Sequence, residues 1–189
     1  RHDGGIREML EKEVERLGAA VIHSDPLYFA SEGENGSTTR VEVALQWTES
    51  TRETFRSFAN GIPTHDGGSH EAGLKDGIAE AMLAYLTAHD AIPRGVDVKR
   101  GDAREGVVAV CNVLLSEPQF QGQTKEKLNN PEVRPLIVSL AKKEVEQTMH
   151  RVPSTGNAVA MRIIQAARAR AASRSAAQQV RRKKPIAHR

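Results

Sequence analysis

The run VVAVCNVLL, residues 107–115, is the feature that most constrains how this chain can fold. Asn112 is its single polar residue, and polar segments lie on both sides of it. A nearly continuous apolar run of this length predicts a strand that is buried on both faces near the centre of a sheet. The chain therefore needs further strands to pair with this one.

Three other segments have the composition of strands. LYFASE, residues 27–32, predicts a short strand, and the Gly and Asn of residues 33–37 predict a hairpin turn after it. Residues 39–47 alternate as a half-buried strand does. We interpret residues 54–62 as the antiparallel neighbour of that strand. The side chains predicted to share one face of the 39–47 strand are Val41, Val43, Leu45 and Trp47.

The helices are predicted from apolar residues that recur every three or four positions. The four predicted ranges are 4–18, 73–89, about 132–150 and about 155–184. The element order is then α-β-β-β-α-β-α-α, which predicts an α+β fold class with a long C-terminal helical arm.

Charge is distributed unevenly along the chain. Nine of the 27 Lys and Arg residues, but none of the 24 Asp and Glu residues, lie from Val159 to Arg189. Such a basic end either meets phosphate or is a solvated helix. The single cysteine, Cys111, excludes an intrachain disulfide and fits a reducing, cytoplasmic compartment. No apolar run approaches the length of a membrane span. Because the chain begins at Arg1 without a methionine, we expect it to be a piece of a longer protein.

A lysine and an amide side chain follow the apolar run closely. Gln123, Thr124 and Lys125 lie in PQFQGQTKEKL, residues 118–128. Ligands are often bound where strands of open sheets end, and a lysine beside an amide could neutralise a terminal phosphate there. By itself the tripeptide is a weak signal, because most loop lysines are solvated surface charges.

Four longer segments give that tripeptide a context. In chain order they are VEVALQW, SFANGIPTHDGGSHEAGL, DAREGVVAV and PQFQGQTKEKLNNPEV. Together they closely resemble the transducer domain of type IIA DNA topoisomerase B subunits, the family of gyrase B and the topoisomerase IV E subunit. The opening GGIREML and the tail IIQAARARAASR fit the same family, so the resemblance covers essentially the whole chain.

The resemblance implies a role for the loop. In that family the transducer lies between a GHKL-type ATPase domain and a TOPRIM domain, and its Gln-Thr-Lys loop reaches the nucleotide. Gln123 and Lys125 are then expected to contact the γ-phosphate of ATP, with Lys125 catalytic and Thr124 shaping the loop. The implied partners are DNA, a gyrase A or topoisomerase IV C-type subunit, and a second copy of the B subunit. The implied location is the cytoplasmic nucleoid, with no membrane.

Several parts of the family's machinery are not recognised in this sequence. We identify no Glu-x-x-x-Asn box or nucleotide-binding glycine loop of a GHKL domain, and no Asp-x-Asp metal pair of a TOPRIM domain. ATP is therefore expected to be held mainly by another domain. Mg²⁺ is expected in the parent enzyme and not on this chain, where we predict no metal site. The isolated chain is expected neither to hydrolyse ATP nor to cleave DNA.

The resemblance also implies details of the fold. It implies a ribosomal-protein-like, four-stranded sheet with a left-handed β-α-β crossover and helices on one face. Residues 1–153 would form the transducer domain and residues 154–189 a basic helix leading toward the TOPRIM domain. Where gyrase B subunits carry an arginine that faces DNA, this chain has Glu80. The residues we expect to face DNA instead are Lys75, Arg162, Arg168 and Arg170.

Other chemistry-bearing residues have simpler interpretations. His65 and His70 are interpreted as hydrogen-bonding residues of a structural loop, because their spacing matches no zinc pattern. Cys111 is interpreted as inert packing and Trp47 as a core anchor. The polar cluster before the central strand is interpreted as a turn with ion pairs, and its members are Asp102, Arg104 and Glu105.

Two alternatives to the transducer assignment remain open. One is a stand-alone nucleic-acid-binding module that uses the basic end without ATP coupling. The other is the equivalent domain of another GHKL ATPase, such as a mismatch-repair or chaperone ATPase.

Overall fold

The structure is a computed structural model that describes residues 5–33 and 38–183. The described part of the chain has the predicted α+β arrangement, with one short strand and one short helix more than expected. The elements are α1 (Gly5–Leu17), β1 (Leu27–Glu32), β2 (Arg40–Trp47), β3 (Thr54–Ala59), β4 (Ile62–Pro63), α2 (Ser69–Ala88), α3 (Arg100–Arg104), β5 (Val107–Leu114), α4 (Val133–Arg151) and α5 (Pro153–Lys183). None of the described helices is long and apolar enough to cross a membrane.

The strands form one sheet in the order β1-β2-β5-β3-β4, so the apolar run is the central strand, as predicted. β1 pairs antiparallel with β2, and β2 pairs antiparallel with β5. Residues 34–37 of the predicted hairpin turn lie outside the described residues. The expected antiparallel pairing of residues 54–62 with β2 is wrong. Because β2 already has a neighbour on each side, β3 pairs with the other edge of β5, and it does so in parallel.

The sheet has five strands and not the four expected. The extra strand, β4, is only two residues long and pairs with β3 across a tight turn. Asn60 and Gly61 both have positive φ in that turn, 51° and 75°, as an Asn-Gly hairpin turn requires. A two-residue strand is too short to show alternation, so periodicity could not reveal it. The expected left-handed crossover remains a prediction.

Helices cover both faces of the sheet, so the expectation of helices on one face is wrong. Val43, Leu45 and Cys111 belong to the main core, which also contains the buried sides of α2, α4 and α5. On the opposite face, Ala44 and Val110 pack with Ile6 and Leu10 of α1. β2 is therefore buried on both faces at its C-terminal end and not half-buried throughout. The apolar side of α1 thus covers part of this second face.

Helix α5 divides into a packed part and an exposed part. Its buried residues run from Gly156 to Ala167, and residues 171–183 are all exposed. The division of the chain into residues 1–153 and 154–189 remains a prediction.

Candidate functional site

The segment between β5 and α4 forms a narrow hairpin-like loop. Its neck is closed by backbone hydrogen bonds from Gln121 N to Lys127 O (2.9 Å) and from Asn129 N to Gln119 O (2.7 Å). Between these bonds, Phe120 and Leu128 form an isolated antiparallel bridge. The neck leaves residues 122–126 as the tip, and the turn begins at Gly122, with φ of 77°. We call residues 119–129 the QTK loop.

A second loop holds the QTK loop against the body of the protein. Asp66 N donates to Glu126 O (2.9 Å), Leu128 N to Gly67 O (3.1 Å) and Ser69 N to Leu128 O (3.0 Å). These bonds connect the neck to residues 66–69, which lead directly into α2. Gly68 and Leu128 lie so close that a side chain at position 68 would meet the Leu128 backbone.

Asn130 closes the base of the QTK loop, a role that sequence reasoning missed. Its side chain is buried, with Oδ1 accepting from Gln119 N (2.6 Å). Nδ2 donates to Glu117 O (3.1 Å) and Glu132 Oε1 (2.9 Å). In the sequence alone, Asn130 and Pro131 indicate only that a helix starts close behind them. An asparagine next to a polar loop is too common in sequences to have indicated this loop-closing role.

The three predicted nucleotide-contacting residues lie together at the tip. Gln123, Thr124 and Lys125 are all exposed. Among the described residues, none of these three side chains has a hydrogen-bond or ion-pair partner. The chain thus has a neck that is held by hydrogen bonds and an exposed tip whose three polar side chains are unpaired among the described residues. Beside the neck lies an open cleft of about 540 Å³ whose cationic side chains are Lys75, Lys127 and Arg134.

The histidines of the second loop have structural environments. His70 is fully buried at the start of α2, and its Nε2 lies 3.0 Å from Thr64 Oγ1 in a hydrogen bond. His65 is exposed. Burial lowers the pKa of His70 to about 4. The interpretation of His70 as a structural hydrogen-bonding residue is therefore confirmed.

The lowered pKa of His70 predicts a loss of stability in acid. The folded state keeps the ring unprotonated, whereas the unfolded chain binds a proton near the ordinary histidine pKa, so stability falls as pH drops from about 6.5 toward 4. Between about pH 7 and pH 5 we expect this group to reduce the free energy of unfolding by about 2 kcal/mol. Urea titrations at both pH values should show that loss, and His70→Gln should remove it. The exposed His65→Gln is the control, and an unchanged pH dependence in His70→Gln would contradict the assignment.

The side chains predicted to face DNA are mostly engaged within the chain. Arg162 pairs with Glu105 (2.9 Å) and donates to Ser50 O (2.9 Å), with only 11% of its side chain exposed. Arg170 pairs with Asp102 (3.1 Å) and donates to Asp97 O (2.8 Å). These two arginines fasten the packed half of α5 to the segments around α3.

The other charged candidates differ in whether they have an ion-pair partner; they are Lys75, Arg168 and Glu80. Lys75 lies 3.5 Å from Glu53 and 3.8 Å from Glu71, so its charge is compensated locally. Glu80 lies 3.7 Å from Arg100. Arg168 is exposed on α5 and has no ion-pair partner among the described residues. Of the four predicted DNA-facing residues, Arg168 is the one whose charge is available to an outside phosphate.

The remaining candidates belong to the scaffold. Trp47 is completely buried and donates from Nε1 to Ala103 O (3.1 Å), so it is a core anchor, as interpreted. Burial raises the pKa of Cys111 to about 12, which keeps the thiol inert. Asp102 caps the short helix α3 by accepting from Lys99 N (2.7 Å), and Arg104 pairs with Glu53 (2.9 Å). The segment is therefore a helix with long-range ion pairs and not a simple turn.

The sequence of this chain is similar to those of known proteins of one family. A family model described as DNA gyrase B matches residues 5–179. The gyrase B protein of Haloferax lucentense is 36% identical over 186 residues, which is 97% of this chain and 28% of that protein. The chain therefore belongs to the DNA gyrase B family, within the B subunits of type IIA DNA topoisomerases.

Two solved structures resemble this one. The 43K ATPase domain of Thermus thermophilus gyrase B, in complex with an aminocoumarin, has a TM-score of 0.83 and 28% identity, and covers 93% of this chain and 46% of that one. The ATP-binding domain of topoisomerase IV from Francisella tularensis has a TM-score of 0.70 and 28% identity, and covers 79% of this chain and 41% of that one. This chain thus spans less than a third of the Haloferax relative and less than half of each solved chain.

Proposed function

We propose that this chain is the transducer region of the ATPase subunit of a type IIA DNA topoisomerase. In this proposal the QTK loop contacts the γ-phosphate of ATP that is held by another part of the same protein. The observation that carries it is the contrast between the neck and the tip. Two sets of backbone bonds and a buried Asn130 hold the neck, and the tip residues Gln123 and Lys125 are exposed without partners among the described residues.

The chemistry of the tip suits a terminal phosphate. Lys125 carries a compact positive charge with three donors, and the Gln123 amide adds a neutral donor. A cation placed where negative charge develops lowers the barrier to phosphoryl transfer. Thr124 lies between them and shapes the tip. The general base that activates water would belong to the ATP-binding domain.

The packing suggests how a signal at the tip reaches the rest of the chain. The neck is bonded to residues 66–69, and these begin α2. α2 packs tightly on α4, where a Cβ at Gly77 would lie 2.6 Å from the Ala141 Cβ. α4 continues into α5 after Val152. In this proposal, loss of the γ-phosphate releases the tip of the QTK loop, and the packed helices to which the neck is fixed pass that change on.

The proposed role defines cofactors and partners for the whole protein. ATP and Mg²⁺ would be bound mainly by the ATP-binding domain. DNA, a gyrase A or topoisomerase IV C-type subunit and a second copy of the parent protein would be the partners in strand passage. The cytoplasmic nucleoid would be the site of action.

A second candidate function is nucleic-acid binding through α5 alone. Residues 171–183 are exposed, and their charged residues are Arg174, Arg181, Arg182 and Lys183, with no acidic residue. Affinity for DNA that falls steeply with salt, depends on these residues and ignores Lys125 would favour this candidate.

Substitution of Gln123 tests the proposed contact in the parent protein. Gln123→Ala removes one neutral hydrogen bond to the phosphate and should lower ATP turnover by about five- to tenfold. Steady-state turnover measures the effect, and Gln119→Ala, a neighbouring glutamine whose backbone holds the neck, is the matched control. Equal turnover in both variants and the unsubstituted protein would contradict the contact.

A further inference from the structure

Two histidine side chains from different helices meet at the protein surface, at the end of α2 opposite the QTK loop. His89 is the C-cap of α2, and His150 lies in the last turn of α4. His89 Nε2 and His150 Nδ1 are 3.1 Å apart, and both residues are exposed. The buried ring of Tyr85 lies beneath them, with centroids 4.3 Å from His89 and 5.1 Å from His150. Neither histidine has a part in the proposed function.

The spacing of the two nitrogens fits a shared metal ion. Imidazole nitrogens bind Zn²⁺ at about 2.0–2.1 Å, so two nitrogens on one ion at ordinary coordination angles lie roughly 3.0–3.4 Å apart. The observed 3.1 Å falls in that range. Both histidines are exposed, so an ion can reach the two nitrogens from solvent. An ion could therefore replace the direct hydrogen bond without moving either helix.

The electrostatic setting also favours a cation. The C-terminal ends of α2 and α4 converge here, and each helix end carries a partial negative charge. Within residues 5–33 and 38–183, no third His, Cys, Asp or Glu completes a three-ligand group. The remaining coordination positions would be filled by water or by an outside ligand.

We propose that His89 and His150 form a two-histidine site for a divalent transition-metal ion of the zinc class. The bound ion ties the C-terminal end of α2 to that of α4. Tyr85, which touches both rings, also packs against the first turn of α5, where a Cβ at Gly156 would overlap the Tyr85 hydroxyl. The ion therefore stiffens the corner at which α5 leaves α4.

Zinc titration of the chain tests this site. At about pH 8, calorimetry should show one Zn²⁺ bound per chain. Zinc at a hundred times its Kd should raise the melting temperature by about 5 °C or more. Either His89→Gln or His150→Gln should abolish both effects. Because both side chains are exposed, we expect both variants to fold, and circular dichroism checks this.

Two controls separate this site from other histidines. His65→Gln removes an exposed imidazole elsewhere and should leave zinc binding unchanged. His2 and His188 lie outside the described residues, and binding by them would survive substitution of His89 and His150. Amide exchange should slow with zinc at the ends of α2 and α4 in the unsubstituted chain only. Absence of zinc binding, or binding that both substitutions leave intact, would overturn the proposal.

Discussion

Lys125→Ala is expected to lower the ATP turnover of the parent protein about a hundredfold to a thousandfold, because it removes a cation aimed at developing phosphate charge. The loss should appear mainly in kcat, since that charge is largest in the transition state. The fold should be unaffected, because Lys125 is exposed and its side chain has no hydrogen-bond or ion-pair partner among the described residues. Steady-state kinetics with the purified parent protein measures the effect.

Lys127→Ala is the matched control for this prediction. Lys127 is an exposed lysine two residues further along, and its contribution to the neck is its backbone carbonyl, which alanine retains. Turnover in Lys127→Ala should stay within about twofold of the unsubstituted protein. A loss of similar size in both variants would show that general positive charge matters and not the position of Lys125.

Gly68→Ala is expected to produce the largest loss of stability, about 4 kcal/mol in the free energy of unfolding. A Cβ at position 68 would lie 2.5 Å from Leu128 N and closer still to Leu128 O, which are backbone atoms that cannot rotate away. The φ of Gly68 is also 131°, a conformation that alanine adopts only under strain. The substitution should therefore separate the QTK loop from the start of α2.

Gly95→Ala is the control for this prediction, because it introduces backbone strain without a steric clash. Gly95 also has a positive φ, 84°, but a Cβ there would meet nothing within 4 Å. We expect a loss of about 1 kcal/mol from strain alone. Urea unfolding of the two variants gives the comparison, and equal losses would mean that the contact between Gly68 and Leu128 contributes little.

The sequence predicted the elements better than it predicted their arrangement. The central strand and the buried side of α2 followed from apolar patterns that tertiary structure did not override. The partner of β3 was wrong because strand periodicity reports which side chains are buried and not which strand lies beside them. The packing of α1 on the second face of the sheet was not predicted. The apolar stripe of α1 shows that one side of the helix is buried, but not which face of the sheet it contacts.

For the candidate site, too, some residues were predicted and their contacts were not. Gln123 and Lys125 were singled out through the family resemblance, since the residues alone describe an ordinary polar loop. The bonds between residues 66–69 and the QTK loop were not predictable, because backbone groups make them and backbone groups carry no sequence signal. The role of Asn130 was not predictable either, because its buried side chain accepts from Gln119 N only in the folded loop.

Nucleotide binding by the parent protein tests the central claim most directly. A contact between Lys125 and the γ-phosphate must distinguish a non-hydrolysable ATP analogue from ADP, which lacks that group. Lys125→Ala should weaken binding of the analogue by about tenfold or more and leave ADP binding unchanged. Equal affinity of the variant and the unsubstituted protein for the analogue, or an equal loss for both nucleotides, would contradict the account.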